Sequence, residues 1–155
     1  MNPRRKRSAI LVLLSMLACG APSAEEETNM TSPGIIDIST ATPADLAMQP
    51  VEDAPYMRVV EGEGPAYGSR EDFVSADGRL RVDYSRYTTQ TLKLERWPAD
   101  EFMYFIEGRV EITTAGGESR VYGPGDMILM PRGFTGTWRQ LSPIRKISVT
   151  YAWGE

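Results

Sequence analysis

The sequence predicts an all-β chain whose strands close into a barrel or a two-layer sandwich. Three observations predict it. Short apolar or alternating stretches recur through residues 56–153, and Gly, Pro and Asp turns punctuate them every eight to twelve residues or so. Only one short helix signal stands against them. The length of 155 residues, 41% of them apolar, suits one globular domain.

Taken in order, the chain opens with Arg4, Arg5, Lys6 and Arg7, followed by an apolar run from Ala9 to Ala18. A basic cluster before about ten apolar residues reads as an export signal, because that run is too short to span a bilayer. Met16-Leu17-Ala18-Cys19 resembles a bacterial lipobox. Cleavage before Cys19 would leave that cysteine lipidated, and a cut after Gly20 is the alternative. Residues 1–18 are therefore expected to be a signal peptide. Residues 19–50 are expected to form a tether and N-terminal arm, and residues 51–155 the folded domain. The localisation implied is export to the periplasm, with membrane contact through a lipid anchor only.

Residues 20–34 carry almost no apolar content and read as a tether. Ile35-Ile36-Asp37-Ile38 reads as a short strand laid on the domain edge. Thr42-Pro43-Ala44-Asp45 combines an N-cap residue, a proline at the first helical position and an acid three residues after the cap. With Pro50 as a stop, it predicts one or two turns of helix over 43–48.

Tyr56 to Val60 is a strand ended by Glu61-Gly62. Asp77-Gly78 is a hairpin turn. After it, Leu80, Val82 and Tyr84 alternate with Arg79, Arg81 and Asp83. Thr91 to Trp97 sets Leu92 and Leu94 against Lys93 and Glu95, and Pro98-Ala99-Asp100 turns the chain. Phe102–Ile106, Val110–Thr113, Val121–Tyr122 and Met127–Met130 are four strands separated by Glu107-Gly108, Ala115-Gly116-Gly117-Glu118 and Gly123-Pro124-Gly125-Asp126. Gly136–Leu141 and Ile144–Trp153 supply two more, with Ile147, Val149 and Tyr151 on one face of the last. The total is eight to ten strands. Closing or doubling the sheet hides most strand edges.

Composition limits the chemistry. Histidine is absent, which removes imidazole as ligand, base or pH switch. The one cysteine, Cys19, allows no intrachain disulfide and no cysteine zinc site. Of 17 basic residues, loss of the four at positions 4–7 leaves 13 against 21 acidic, a formal charge of −8. Such a surface disfavours nucleic acid and anionic lipid headgroups.

The stretch from Glu101 to Arg139 resembles the cupin superfamily. Glu101 and Gly108 stand at the interval that closes that family's first motif, and Gly125, Pro131 and Gly133 match its second. Asp100-Glu101-Phe102, Gly123-Pro124-Gly125-Asp126, Pro131 to Trp138 and Ile144-Arg145-Lys146 are similar to strings in small single-domain cupins related to ureidoglycine aminohydrolases and ethanolamine-utilisation proteins. The resemblance implies a cupin jelly-roll β-barrel enclosing a pocket. It also implies homodimers built by exchanging or abutting strands, with the segment before residue 70 as exchanging element or edge cover.

In metal-binding cupins two histidines precede the glutamate. Those positions fall on Glu95 and Trp97, or on Leu94 and Arg96. The third histidine position falls on Gly136. Of the usual ligand set only Glu101 remains, so no metal and no other cofactor is expected. An oxygen-only site from Glu95, Glu101 and Gln140 is a much weaker alternative.

Alternation from Glu101 puts Met103 and Phe105 on the same face, and alternation from Gly136 adds Trp138 and Gln140. Trp97 is placed to close the mouth. These residues either fill the core or line a ligand pocket. In the pocket reading Trp97, Met103, Phe105, Trp138 and Gln140 contact substrate, and Glu101 is the polar anchor. An acid on an apolar strand needs a partner, and Arg96, Arg139 and Lys146 are the candidates. The expected function is an exported small-molecule binding or accessory module. The alternatives are an enzyme resembling ureidoglycine aminohydrolases, acting on a small polar metabolite with Glu101 as acid or base, and a partner-binding lipoprotein with a filled barrel.

Overall fold

The computed structural model describes residues 34–62 and 64–153; the signal segment, Cys19 and most of the tether lie outside them. Ten strands form: β1 Met57–Glu61, β2 Tyr67–Val74, β3 Leu80–Tyr87, β4 Thr91–Leu94, β5 Asp100–Glu107, β6 Val110–Thr114, β7 Ser119–Tyr122, β8 Met127–Met130, β9 Gly136–Gln140 and β10 Ile144–Tyr151. They make two five-stranded antiparallel sheets, ordered β1-β4-β9-β6-β7 and β2-β3-β10-β5-β8. This is the all-β, jelly-roll architecture expected.

Glycines stand at four of the seven places where the chain crosses between the sheets, among them the β5–β6 turn. Gly108, between β5 and β6, has φ 85°, and a Cβ there would lie 1.9 Å from the Pro143 carbonyl oxygen. Only glycine combines that backbone conformation with so close an approach. The hairpin at Asp77-Gly78 forms as expected, with Gly78 at φ 70° and the Asp77 carboxylate accepting from the Ser75 hydroxyl and the Arg79 amide.

Alternation decides which residues enter the space between the sheets. On β5, Glu101, Met103 and Phe105 point inward and are buried, while Phe102 and Tyr104 point out. Leu92, Leu94, Val110, Ile112, Met130, Trp138 and Ile144 complete the core around Met103 and Phe105.

Two expectations are corrected, and one strand is added. Residues 43–48 form a single turn, closed by the Leu46 amide on the Pro43 carbonyl at 3.3 Å, instead of a helix. The following residues are held extended, because Gln49 bridges to Tyr67 at the edge of β2. Ile35–Ile38 joins no sheet, and Ile35 is 97% exposed. The eight-residue β2 was not anticipated; Tyr67-Gly68-Ser69-Arg70-Glu71-Asp72 has no apolar alternation to announce it.

The arm wraps one half of the second sheet. Arg70 donates to the Ser39 carbonyl at 2.7 Å and the Ala41 carbonyl at 3.2 Å. Thr42 Oγ1 and the Tyr84 hydroxyl stand 2.5 Å apart. In register, Tyr84 lies beside Ile147, whose other neighbour is Tyr104, so this is the outer face. Tyr84 is nonetheless fully buried. The arm then rounds the β2 edge at Gln49 and returns towards the barrel interior.

Candidate functional site

A cavity of about 550 Å³ opens between the sheets. One wall is apolar and comes from the first sheet: Met57, Leu92, Leu94 and Trp138. The opposite wall comes from the second sheet and is mixed, with Tyr67, Tyr87, Glu101, Lys146, Met103 and Met130. Gln49 to Glu52 of the arm, Tyr56 and Trp97 form the rim. The size lies within the range of small-molecule sites.

Glu101 and Lys146 form the polar floor. Lys146 Nζ donates to Glu101 Oε1 at 2.7 Å, and the two side chains are only 6% and 8% exposed. Register explains the reach. Glu101 faces Thr150 across the β5–β10 ladder, Met103 faces Ser148 and Phe105 faces Lys146. The lysine therefore runs along the inner surface past Ser148, to whose hydroxyl it also donates. Its ammonium stands 5.9 Å from the Tyr87 ring centroid. A buried carboxylate and ammonium in this arrangement compensate each other's loss of water.

The phenols beside the pair stay neutral. Burial pushes the Tyr87 hydroxyl well above its ordinary value, with the neighbouring Tyr67 and Glu101 adding to the effect. Burial also raises Tyr67. Asp83, which faces Ser148 from β3, is raised by burial first and by Glu71 second, while Lys146 opposes both.

At the rim Trp97 packs edge-on to Tyr56, with centroids 5.3 Å apart. Its backbone is pinned to the following loop: its amide donates to the Phe134 carbonyl at 2.8 Å and its carbonyl accepts from Gly133 at 2.7 Å. Arg96 just before it has φ 48°, unusual for a side-chain-bearing residue, and its amide is fixed by Thr135 Oγ1 at 3.0 Å. This kink carries Trp97 off the strand line and onto the cavity.

The structure thus brings Glu101, Trp97, Met103 and Trp138 to one cavity. It does not bring Phe105 or Gln140 there. Phe105 is fully buried one layer deeper, between Trp138 at 6.1 Å and Tyr122 at 6.4 Å. Gln140 has the expected inward parity but lies one strand repeat beyond Trp138, where its Oε1 accepts from the Gln90 amide at 2.9 Å. Neither residue lines the cavity. Of the three cations considered for Glu101, Lys146 is the partner; Arg139 pairs with Glu111 on the surface. Lys146 was foreseen only as a candidate partner of Glu101, and Tyr67, Tyr87 and the arm were not foreseen as cavity residues. The available signal was Lys146 and Ser148, two polar residues on the opposite parity to Ile147, Val149 and Tyr151.

The residues do not fit a metal ion. Glu101 already holds an ammonium, which would repel a cation. Glu95 is exposed, and the Gln140 amide oxygen is engaged elsewhere. At Gly136 a Cβ would lie 2.3 Å from the Thr113 carbonyl oxygen and 2.7 Å from the Phe134 ring, so the backbone admits no ligand side chain there. Among the described residues no group of three or more carboxylates or cysteines could hold a metal.

Comparison with known proteins points the same way for the fold. Residues 93–147, which contain Glu101 and Lys146, match the EutQ-like cupin domain. No curated protein matches the chain by sequence. A Pseudomonas syringae protein of unknown function from the DUF861 family is similar in structure, with a TM-score of 0.58 and 21% identity over 73% of this chain and 46% of that one. The polyketide cyclase RemF of Streptomyces resistomycificus superposes with a TM-score of 0.53 at 16% identity, over 74% of this chain and 80% of that one. The Clostridium difficile EutQ protein matches with a TM-score of 0.48 and 22% identity over 56% of this chain, which spans 62% of its length. At these identities the likeness to the solved structures is one of fold.

Proposed function

We propose that this chain, whose residues 93–147 match the EutQ-like cupin domain, is an exported small-molecule binding module without the metal of the metal-binding cupins. The observation that carries the reading is the 550 Å³ cavity whose only deeply buried charges, among the described residues, neutralise each other. An apolar wall facing a wall of neutral phenols and one ion pair supplies burial on one side and orientation on the other. Saturable heat release on titrating cavity-sized ligands, abolished by filling the cavity with Leu92→Trp, supports it. Equal heats from both proteins would oppose it.

A second reading makes Glu101 an acid or base. It is favoured by one feature: Lys146 engages Oε1 alone, and Oε2 has no protein donor among the described residues. Turnover of a bound metabolite that survives Glu101→Gln would exclude it.

Lipidation at Cys19 is part of the proposal; labelled palmitate incorporated by the native protein and not by Cys19→Ser tests it. So is a homodimer. The arm covers only the β2–β3 half of its sheet, leaving Phe102, Tyr104, Met127 and Leu129 exposed on the other half, the last two at 64%. A second copy would cover this face, and sedimentation of native protein against Leu129→Asp distinguishes dimer from monomer.

A further inference from the structure

The charge balance of the cavity selects among ligands. Each partner of the buried pair keeps unused hydrogen-bonding capacity. Lys146 has three N–H groups and gives two, to Glu101 Oε1 and Ser148 Oγ. Glu101 Oε2 accepts nothing from the described residues. The floor therefore offers one donor and one acceptor side by side, with no net charge. Tyr67 and Tyr87 add neutral hydroxyls on the same wall. Glu52, the remaining charged lining residue, sits exposed on the arm.

A carboxylate ligand could approach Lys146 only by setting a second negative charge beside Glu101. Capturing the lysine would leave Glu101 buried without a counter-charge. An amidinium or ammonium ligand meets the mirror-image difficulty, since taking Glu101 strands Lys146. Either charge must be desolvated into a site that cannot compensate it. An uncharged ligand with an acceptor next to a donor satisfies both free positions and leaves the pair intact. The opposite wall of Trp138, Leu92 and Leu94 suits a flat apolar body.

Resting on the binding reading above, the geometry points to an uncharged, flat amide-type ligand. Its carbonyl accepts from Lys146 Nζ, its N–H donates to Glu101 Oε2, and its ring lies against Trp138.

Three probes of one shape and three charges test this: benzamide, benzoate and benzamidinium, titrated by calorimetry at neutral pH into the full-length protein. Benzamide is expected to bind at least about tenfold more tightly than either ion. Glu101→Gln leaves Lys146 unpaired and moves the preference to benzoate. Lys146→Gln leaves Glu101 unpaired and moves it to benzamidinium. Native protein that prefers either ion overturns the selection rule while leaving the binding reading in place. Failure of all three probes to bind native protein at millimolar concentration overturns both. If either variant fails to fold, the native ranking alone decides.

Discussion

Replacing Lys146 by Met removes the counter-charge of Glu101 while keeping most of the side-chain volume. At 2.7 Å, and at an effective dielectric constant of about 20, the gross attraction of the pair is about 6 kcal/mol. Much of that offsets the cost of taking both groups from water. Because the cavity lets solvent reach Glu101 once the ammonium is gone, the net loss should be near the lower end of the range for breaking a buried pair, about 3 kcal/mol. Urea unfolding followed by circular dichroism should show a midpoint lower by about 1.5 M, for a slope of about 2 kcal/mol/M. The double variant Lys146→Met/Glu101→Leu removes both charges and should recover to within about 1 kcal/mol of the native protein, or exceed it. A single variant that loses less than about 1 kcal/mol, or a double variant that loses as much as the single, would refute the buried pair.

Other substitutions test other parts of the structure. Asp83 is raised by burial, so its carboxyl favours the folded state only when protonated. That contribution is present below the ordinary value of 3.8 and lost as pH rises through the raised folded value. Asp83→Asn should therefore gain stability at pH 7, by less than about 1 kcal/mol because the group is half exposed, and the gain should vanish below about pH 4; a difference independent of pH would contradict this. Gly136→Ala should cost about 1–3 kcal/mol and Gly136→His more, since a Cβ there meets the Thr113 carbonyl oxygen. An unchanged melting curve for the alanine variant would mean that β6 and β9 lie farther apart. Gly68→Val places side-chain atoms against the Ala47 carbonyl oxygen, 2.7 Å from a Cβ. It should release the arm, seen as faster proteolysis within residues 39–49 with the strand spectrum unchanged.

The strands were legible where apolar residues alternate between glycine turns, and nine of the ten were found that way. Strand β2 was not, because its inward residues are Tyr67, Ser69 and Glu71 and its outward ones include Gly68 and Arg70. Polarity there follows the cavity and the arm, neither of which exists in a one-dimensional pattern. The helix signal at Thr42-Pro43 was real at the level of local propensity. Pairing of Gln49 with Tyr67 overrode it, leaving one turn. Glu101 could be singled out as an acid on an apolar strand, but its partner lies 45 residues away. On β10 the apolar set, Ile147, Val149 and Tyr151, lies on the outer face, and Lys146 and Ser148 point inward. A rule that sends apolar residues to the core reads that strand backwards. Phe105 and Gln140 show the complementary limit: parity gives the face of a strand but not the depth along it.

Inside this barrel the Glu101 carboxylate is held by the Lys146 ammonium, which would repel a metal ion. Metal analysis of protein incubated with Mn²⁺, Fe²⁺ and Zn²⁺ and then desalted tests it most directly. No stoichiometric metal is expected, with the native protein and Glu101→Gln alike. One ion retained per chain by the native protein, and lost from Glu101→Gln, would contradict it.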